Sequence, residues 1–119
     1  MAEARLLGPP ALATTAADAP LAGVRHDPVY ARAQAEVLAV AQAKGANIDL
    51  AALEALRAAA PDSMRSSMQN DVAQRKTPEL DAIAGPVLQG GREHGIATPA
   101  IDGLVARVQA RAVEERARP

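Results

Sequence analysis

The 119-residue chain reads as an all-α protein, a compact bundle of about five helices. Three observations predict this. Apolar residues recur at spacings of three and four along most of the chain, the period of a helix with one buried face. Three times a residue that can cap free backbone amides is followed at once by proline, at Asp27-Pro28, Thr77-Pro78 and Thr98-Pro99, the order expected where a helix begins. No stretch alternates apolar and polar residues as a half-buried strand would, and no hairpin signal or strict repeat is present.

Residues 1–26 are the least patterned part. Gly8, Pro9, Pro10, Pro20 and Gly23 interrupt any long helix, so the expectation is a poorly ordered leader, helical at most around Ala11 to Ala17. The first strong helix starts at Asp27-Pro28. Val29, Ala33, Val37, Val40 and Ala41 form its stripe, and Lys44-Gly45 is its natural end. Asp49 then caps a short helix carrying Leu50, Leu53 and Leu56, which Pro61 closes. Asp62 or Ser63 is placed to cap a third helix through Met64, Met68 and Val72, with Gln74 to Lys76 as its exit.

Thr77-Pro78-Glu79 opens the next helix, whose Leu80, Ile83, Ala84, Val87 and Leu88 fall on one face. Pro86 lies inside it and removes one backbone hydrogen bond, so a kink is expected near Gly85-Pro86. Gly90 and Gly91 weaken the same helix, and Gly95 ends it. Thr98-Pro99 opens the last helix, with Ile101, Leu104, Val105 and Val108 inward and a charged, frayed end from Glu114 onward. The domain proper is expected over residues 27–116.

Composition bounds both core and partners. The chain has no Phe, Trp or Cys and one aromatic residue, Tyr30, so Ala and aliphatic side chains must build the interior. Each Ala buries little area, so packing should be thin, with apolar surface left over. A formal charge of -1 from 13 basic and 14 acidic side chains gives no field for a phosphate backbone, which argues against nucleic acid. No apolar run approaches the roughly 20 residues of a membrane span. Gly8-Pro9-Pro10 interrupts what would be the apolar core of a signal peptide. The expectation is a soluble, cytoplasmic protein.

The chemistry on offer is sparse. His26 and His94 are the only histidines and lie far apart, and no metal-binding spacing occurs. His94, beside Gly95, suits a helix end. Gly90-Gly91 does not join a strand to a helix, so no dinucleotide-binding loop is present. The densest polar stretch is Ser66-Ser67-Met68-Gln69-Asn70-Asp71 followed by Thr77-Pro78-Glu79-Leu80-Asp81. Its serines either cap a short helix or bind a ligand, and no histidine stands near to make either a nucleophile. Glu79 is either an acid favoured by the positive end of a helix or a carboxylate facing a cleft. Asp71 and Asp81 are open in the same way.

The segments SSMQNDV and KTPELDAIAGPVLQGGREHGIATP, preceded by DPVYARAQAEVLAVAQAKGANID, resemble the C-terminal helical domain of the ketopantoate reductase (2-dehydropantoate 2-reductase) family. That family has a Ser-Ser-Met block, an Asp four residues after the second Ser, a Glu-apolar-Asp helix start eight residues further on, and then a helix ending in Gly and a Thr-Pro start. Ser66, Ser67, Met68, Asp71, Glu79, Asp81, Gly85, Gly95, Thr98 and Pro99 fall in that register, and the likeness runs from about residue 13 to about residue 110. The chain departs from the family at Ala84, where Asn is frequent, and at Pro86.

The resemblance implies a two-domain, NADPH-dependent oxidoreductase of pantothenate biosynthesis that reduces ketopantoate to pantoate between an N-terminal Rossmann domain and this one. Glu79 would hydrogen-bond the substrate hydroxyl, Ser67 would bind the substrate carboxylate region, and Asp71 would support them. The family's proton-donating Lys belongs upstream of residue 13, where Met1 to Leu12 carry no Lys. The cofactor domain has no counterpart here either, so no cofactor site is expected in this chain. The implied partners are the missing Rossmann domain, a small 2-oxo acid and a second copy in a homodimer. The expected function is that of the substrate-side domain, inactive alone. The alternative is a non-catalytic interaction or dimerisation module descended from it.

Overall fold

The computed structural model describes residues 8–119, with Met1–Leu7 of the expected leader outside the described residues. The described residues hold six α-helices, one 3-10 turn and no strand: α1 Gly8–Ala17, the turn Leu21–Gly23, α2 Pro28–Ala43, α3 Leu50–Ala59, α4 Ser67–Ala73, α5 Leu80–His94 and α6 Pro99–Ala117. The all-α class is as expected. The first helix corrects the reading of residues 8–26. Its prolines sit in the first turn, where their missing N–H groups cost nothing. Beyond them the helix holds only Ala, Leu and Thr, compact enough for other helices to approach on several sides. Leu12, Ala13, Thr14, Thr15 and Ala16 are all buried, against α6, α4 and α2.

α2 and α6 complete the centre. Tyr30, Ala33, Val37 and Val40 from α2 meet Ile101, Leu104 and Val108 from α6, while Ala84 and Val87 of α5 close the far side. In α2 and α6 the expected stripe residues Ala33, Val37, Val40, Ala41, Ile101, Leu104 and Val108 are buried. Asp27 caps α2 through Val29 N at 2.9 Å, and Asp49 caps α3 through Ala52 N at 3.1 Å. Gly95 ends α5 with φ +67°, a left-handed conformation open to glycine at little cost. Gly90 serves close approach instead of weakening the helix. A Cβ there would stand 2.6 Å from Val40 Cγ1 and from Lys44 Cε, so glycine lets α5 lie against α2. α5 continues through Pro86. The carbonyl that loses its partner belongs to Ala82, which is exposed and open to water.

Two helix starts differ from expectation. Residues 62–66 are turn and extended chain, and α4 begins at Ser67 with Ser66 as its cap. Ser66 Oγ accepts from Gln69 N at 3.1 Å and Gln69 Oε1 accepts from Ser66 N at 3.1 Å. This reciprocal box outcompetes Asp62 and Ser63 because it satisfies two orphan amides. At α6, Thr98 supplies no capping bond. Glu36 of α2 replaces it, its carboxylate accepting from Ala100 N at 2.9 Å and Ile101 N at 2.8 Å. A carboxylate from another helix thus caps α6 and fixes its crossing with α2.

α3 is the peripheral helix. Leu53 is its one buried residue, whereas Leu50 and Leu56 are each 53% exposed. Arg25 fastens its end. The guanidinium donates to the carbonyls of Arg57 (3.1 Å) and Ala60, and its Nε lies 3.1 Å from Asp62 Oδ1. That last contact is an ion pair without an aligned hydrogen bond, since Nε has no hydrogen-bond partner. Backbone bonds from Leu21 N to Met64 O and Ala22 N to Asp62 O, both 2.9 Å, hold the following loop to the 3-10 turn.

Candidate functional site

The start of α4 brings the two adjacent serines into different roles. Ser66 is half-buried and caps the helix, while Ser67, the first helical residue, is exposed. Ser67 and Asp71 are one turn apart on the same helix, so they share a face. Asp71 is half-buried, and its backbone carbonyl accepts from Lys76 N at 2.8 Å, turning the chain out of α4.

Glu79 stands at the cap position of α5. It is exposed, and its side chain makes no capping bond. Its neighbour Pro78 is buried, and Thr77 Oγ1 accepts a long 3.4 Å bond from Arg116 of α6. Among the described residues, no side-chain hydrogen bond joins Ser67, Asp71 and Glu79 to one another, nor does Ser67 or Glu79 spend its side chain on any other protein group. Both are therefore available to a ligand. The serine-cap reading left open by the sequence applies to Ser66, and Glu79 sits at the positive end of α5 without a side-chain capping bond.

A cleft of about 270 Å³ is lined by Pro10, Leu21, Tyr30, Leu53, Leu56 and Met64 among others. It is mainly apolar and does not include Ser67 or Glu79. Burial raises the pKa of Tyr30 above that of a free phenol, with the cations of Arg57 and Arg25 opposing the shift, so the ring presents a neutral hydroxyl. The apolar cleft and the exposed Ser67 and Glu79 side chains are separate features. The cleft was not legible in the sequence, because its walls come from four separate stretches.

Among the described residues no group of His, Cys, Asp or Glu could hold a metal ion. His26 and His94 are exposed and far from being paired ligands. Among the described residues no helix is long and apolar enough to cross a membrane. Upstream of residue 13, the described positions Gly8 to Leu12 carry no titratable side chain, and the earlier ones lie outside the described residues.

Comparison with known proteins gives this arrangement its family. The family model "Ketopantoate reductase PanE/ApbA C terminal" matches residues 11–112. A 2-dehydropantoate 2-reductase of Mycobacterium tuberculosis H37Rv is 40% identical over 87 residues, covering 68% of this chain and 30% of that protein. One from Caulobacter vibrioides is 38% identical over 100 residues, covering 77% of this chain and 34% of that protein. The chain thus spans about a third of the length of these relatives. Among solved structures, a PanE/ApbA family ketopantoate reductase from Ralstonia eutropha JMP134 superposes with a TM-score of 0.81 at 26% identity, over 97% of this chain and 41% of that one. The dimeric ketopantoate reductase of Staphylococcus aureus shares the fold, with a TM-score of 0.78 at 23% identity over 96% of this chain and 42% of that one. With 11–112 inside the model and the helical architecture shared, the chain belongs to the ketopantoate reductase family, as its C-terminal domain.

Proposed function

We propose that this chain is the substrate-side domain of a 2-dehydropantoate 2-reductase, forming one wall of a cavity whose other wall and NADPH site lie on a separate domain. The observation that carries this is the family match over 11–112 together with two exposed, uncommitted polar side chains, Ser67 and Glu79, at helix starts inside the matched region. The described residues have no strand–glycine loop–helix in which backbone amides could cradle a dinucleotide. On this reading the dinucleotide is held by the separate domain.

On this reading Ser67 donates a hydrogen bond to the substrate carboxylate. Glu79 accepts one from the substrate hydroxyl and so fixes the orientation of the reacting carbon. Asp71, one turn from Ser67 on the same face, supports the serine from its half-buried position. The substrate is ketopantoate or a related small 2-oxo acid, and the pathway served is pantothenate biosynthesis.

The test mixes the purified chain with the nicotinamide-binding domain of a family relative and follows NADPH oxidation with ketopantoate. Turnover is expected from the mixture and none from the chain alone. Glu79→Ala should cut that turnover at least about 100-fold, the usual reach of a positioned acid–base group. Its stability should change by less than about 1 kcal/mol, as for an exposed acid at a helix start. Absence of turnover at every ratio of two folded domains would overturn the proposal.

A second reading, a self-associating module, is favoured by the exposed Leu50, Leu56 and Val113. Sedimentation mass decides it: a monomer at all concentrations excludes a homodimer.

A further inference from the structure

Thr14 and Thr15 are buried to 0% and 1% exposure, and the reaction outlined above uses neither. Both threonine hydroxyls turn toward Ser66. Thr15 Oγ1 lies 3.1 Å from Ser66 Oγ, and Thr14 Oγ1 lies 3.3 Å from it. Each threonine also donates backward along α1, Thr14 to Pro10 O and Thr15 to Ala11 O, both at 2.7 Å.

Proton accounting gives the cluster a direction. A hydroxyl has one proton and two acceptor lone pairs. The short bonds to the α1 carbonyls take the threonine protons. Ser66 Oγ already accepts from Gln69 N, so its own proton goes to a threonine oxygen, and Thr15 is the nearer. The chain of donors thus runs from Gln69 N–H to Ser66 to Thr15 to the Ala11 carbonyl. Gln69 is tied down a second time, its Nε2 donating to Ala19 O at 3.1 Å. The network holds the residue on either side of Ser67–Met68.

We infer that Thr15, with Thr14 and Ser66, is a positioning residue that fixes where the exposed Ser67 hydroxyl meets the substrate. The inference rests on the proposed role of Ser67 as the carboxylate-binding group. The ligand contact is the Ser67 side chain; the buried hydroxyls never touch substrate. Their part is to hold the Ser66–Ser67 peptide against α1, so that a hydroxyl with free χ1 projects from a fixed point.

The experiment uses the full chain, isotope-labelled, with two readouts. The first is amide hydrogen exchange at Ser66 and Gln69, the two amides bonded within the capping box. The second is the shift of the Ser67 amide resonance on titration with ketopantoate. Thr15→Val should speed exchange at those two amides about tenfold or more and raise the apparent Kd several-fold. Thr15→Ser, which keeps the hydroxyl, should restore both. Ser66→Ala provides an independent cut of the same network should Thr15→Val fold poorly, and it should give the same pattern. Ser67→Ala separates the two ideas, because it should raise the Kd while leaving exchange at Ser66 and Gln69 near wild type. Unchanged exchange in Thr15→Val and Ser66→Ala overturns the inference alone. Absence of any ketopantoate response at Ser67, in the wild type or relative to Ser67→Ala, overturns the substrate role and the inference with it.

Discussion

Helices α1 and α3 are both ten residues long, and they occupy opposite ends of the range of burial. The segment GPPALATTAA has no apolar stripe and opens with two prolines, yet Leu12 is 1% exposed and three other helices pack on it. The segment LAALEALRAA is capped by Asp49 and repeats Leu every third residue, yet two of its three leucines are half in solvent. Amphipathic spacing reports a preference for one face; it says nothing about how many neighbours that face will find. Small side chains on every side let α1 become the axis of the bundle. A single leucine stripe gives α3 one shallow seat.

The sharpest way to break this contrast is Leu12→Ala. The side chain is enclosed by α1's neighbours, so its loss removes transfer energy and leaves a cavity, together about 2–5 kcal/mol. Chemical denaturation of the chain should show a lowered midpoint with an unchanged slope. A loss below about 1 kcal/mol would mean that α1 is not the centre of the fold.

Arg25→Ala comes next and acts on α3 alone. It removes two hydrogen bonds from a charged donor to the carbonyls of Arg57 and Ala60, with an expected cost of about 2 kcal/mol. The half-exposed pair with Asp62, whose side chain is 75% exposed, adds little. Amide exchange in Leu50–Ala59 should accelerate while α1, α2 and α6 keep their protection. Equal acceleration everywhere would show α3 to be cooperative with the core.

The same contrast explains what the sequence could and could not tell. Helix starts with local chemistry were legible: Asp27 with Pro28 and Asp49 cap where expected, and Gly95 stops α5. Starts whose caps come from elsewhere were not. Glu36 caps α6 from 64 residues away, a distance that no local pattern encodes. At α4, the reciprocal pair Ser66 and Gln69 was a readable signal, a serine followed three residues later by glutamine, but Asp62 and Ser63 stood ahead of it and obscured the start. Ser67, Asp71 and Glu79 came from resemblance, since an exposed serine or glutamate has no spacing of its own. The threonine pair behind Ser66 became visible only in three dimensions, as α1 and α4 are about 50 residues apart in the chain.

The smallest expected effect sharpens the comparison most. Leu56 is half-exposed on α3 and lines the apolar cleft beside Tyr30, so Leu56→Ala in an isolated chain should change stability by no more than about 0.5 kcal/mol, as for a surface site. A larger loss would mean that the leucine is covered in solution. Protein concentration then identifies the cover: a loss that shrinks on dilution points to a second copy of the chain, because a dimer's stability depends on protomer concentration. A loss independent of concentration points to a cover within the same chain. The peripheral helix would then be an interface whose leucine stripe was correctly patterned for burial, only against a surface other than the bundle.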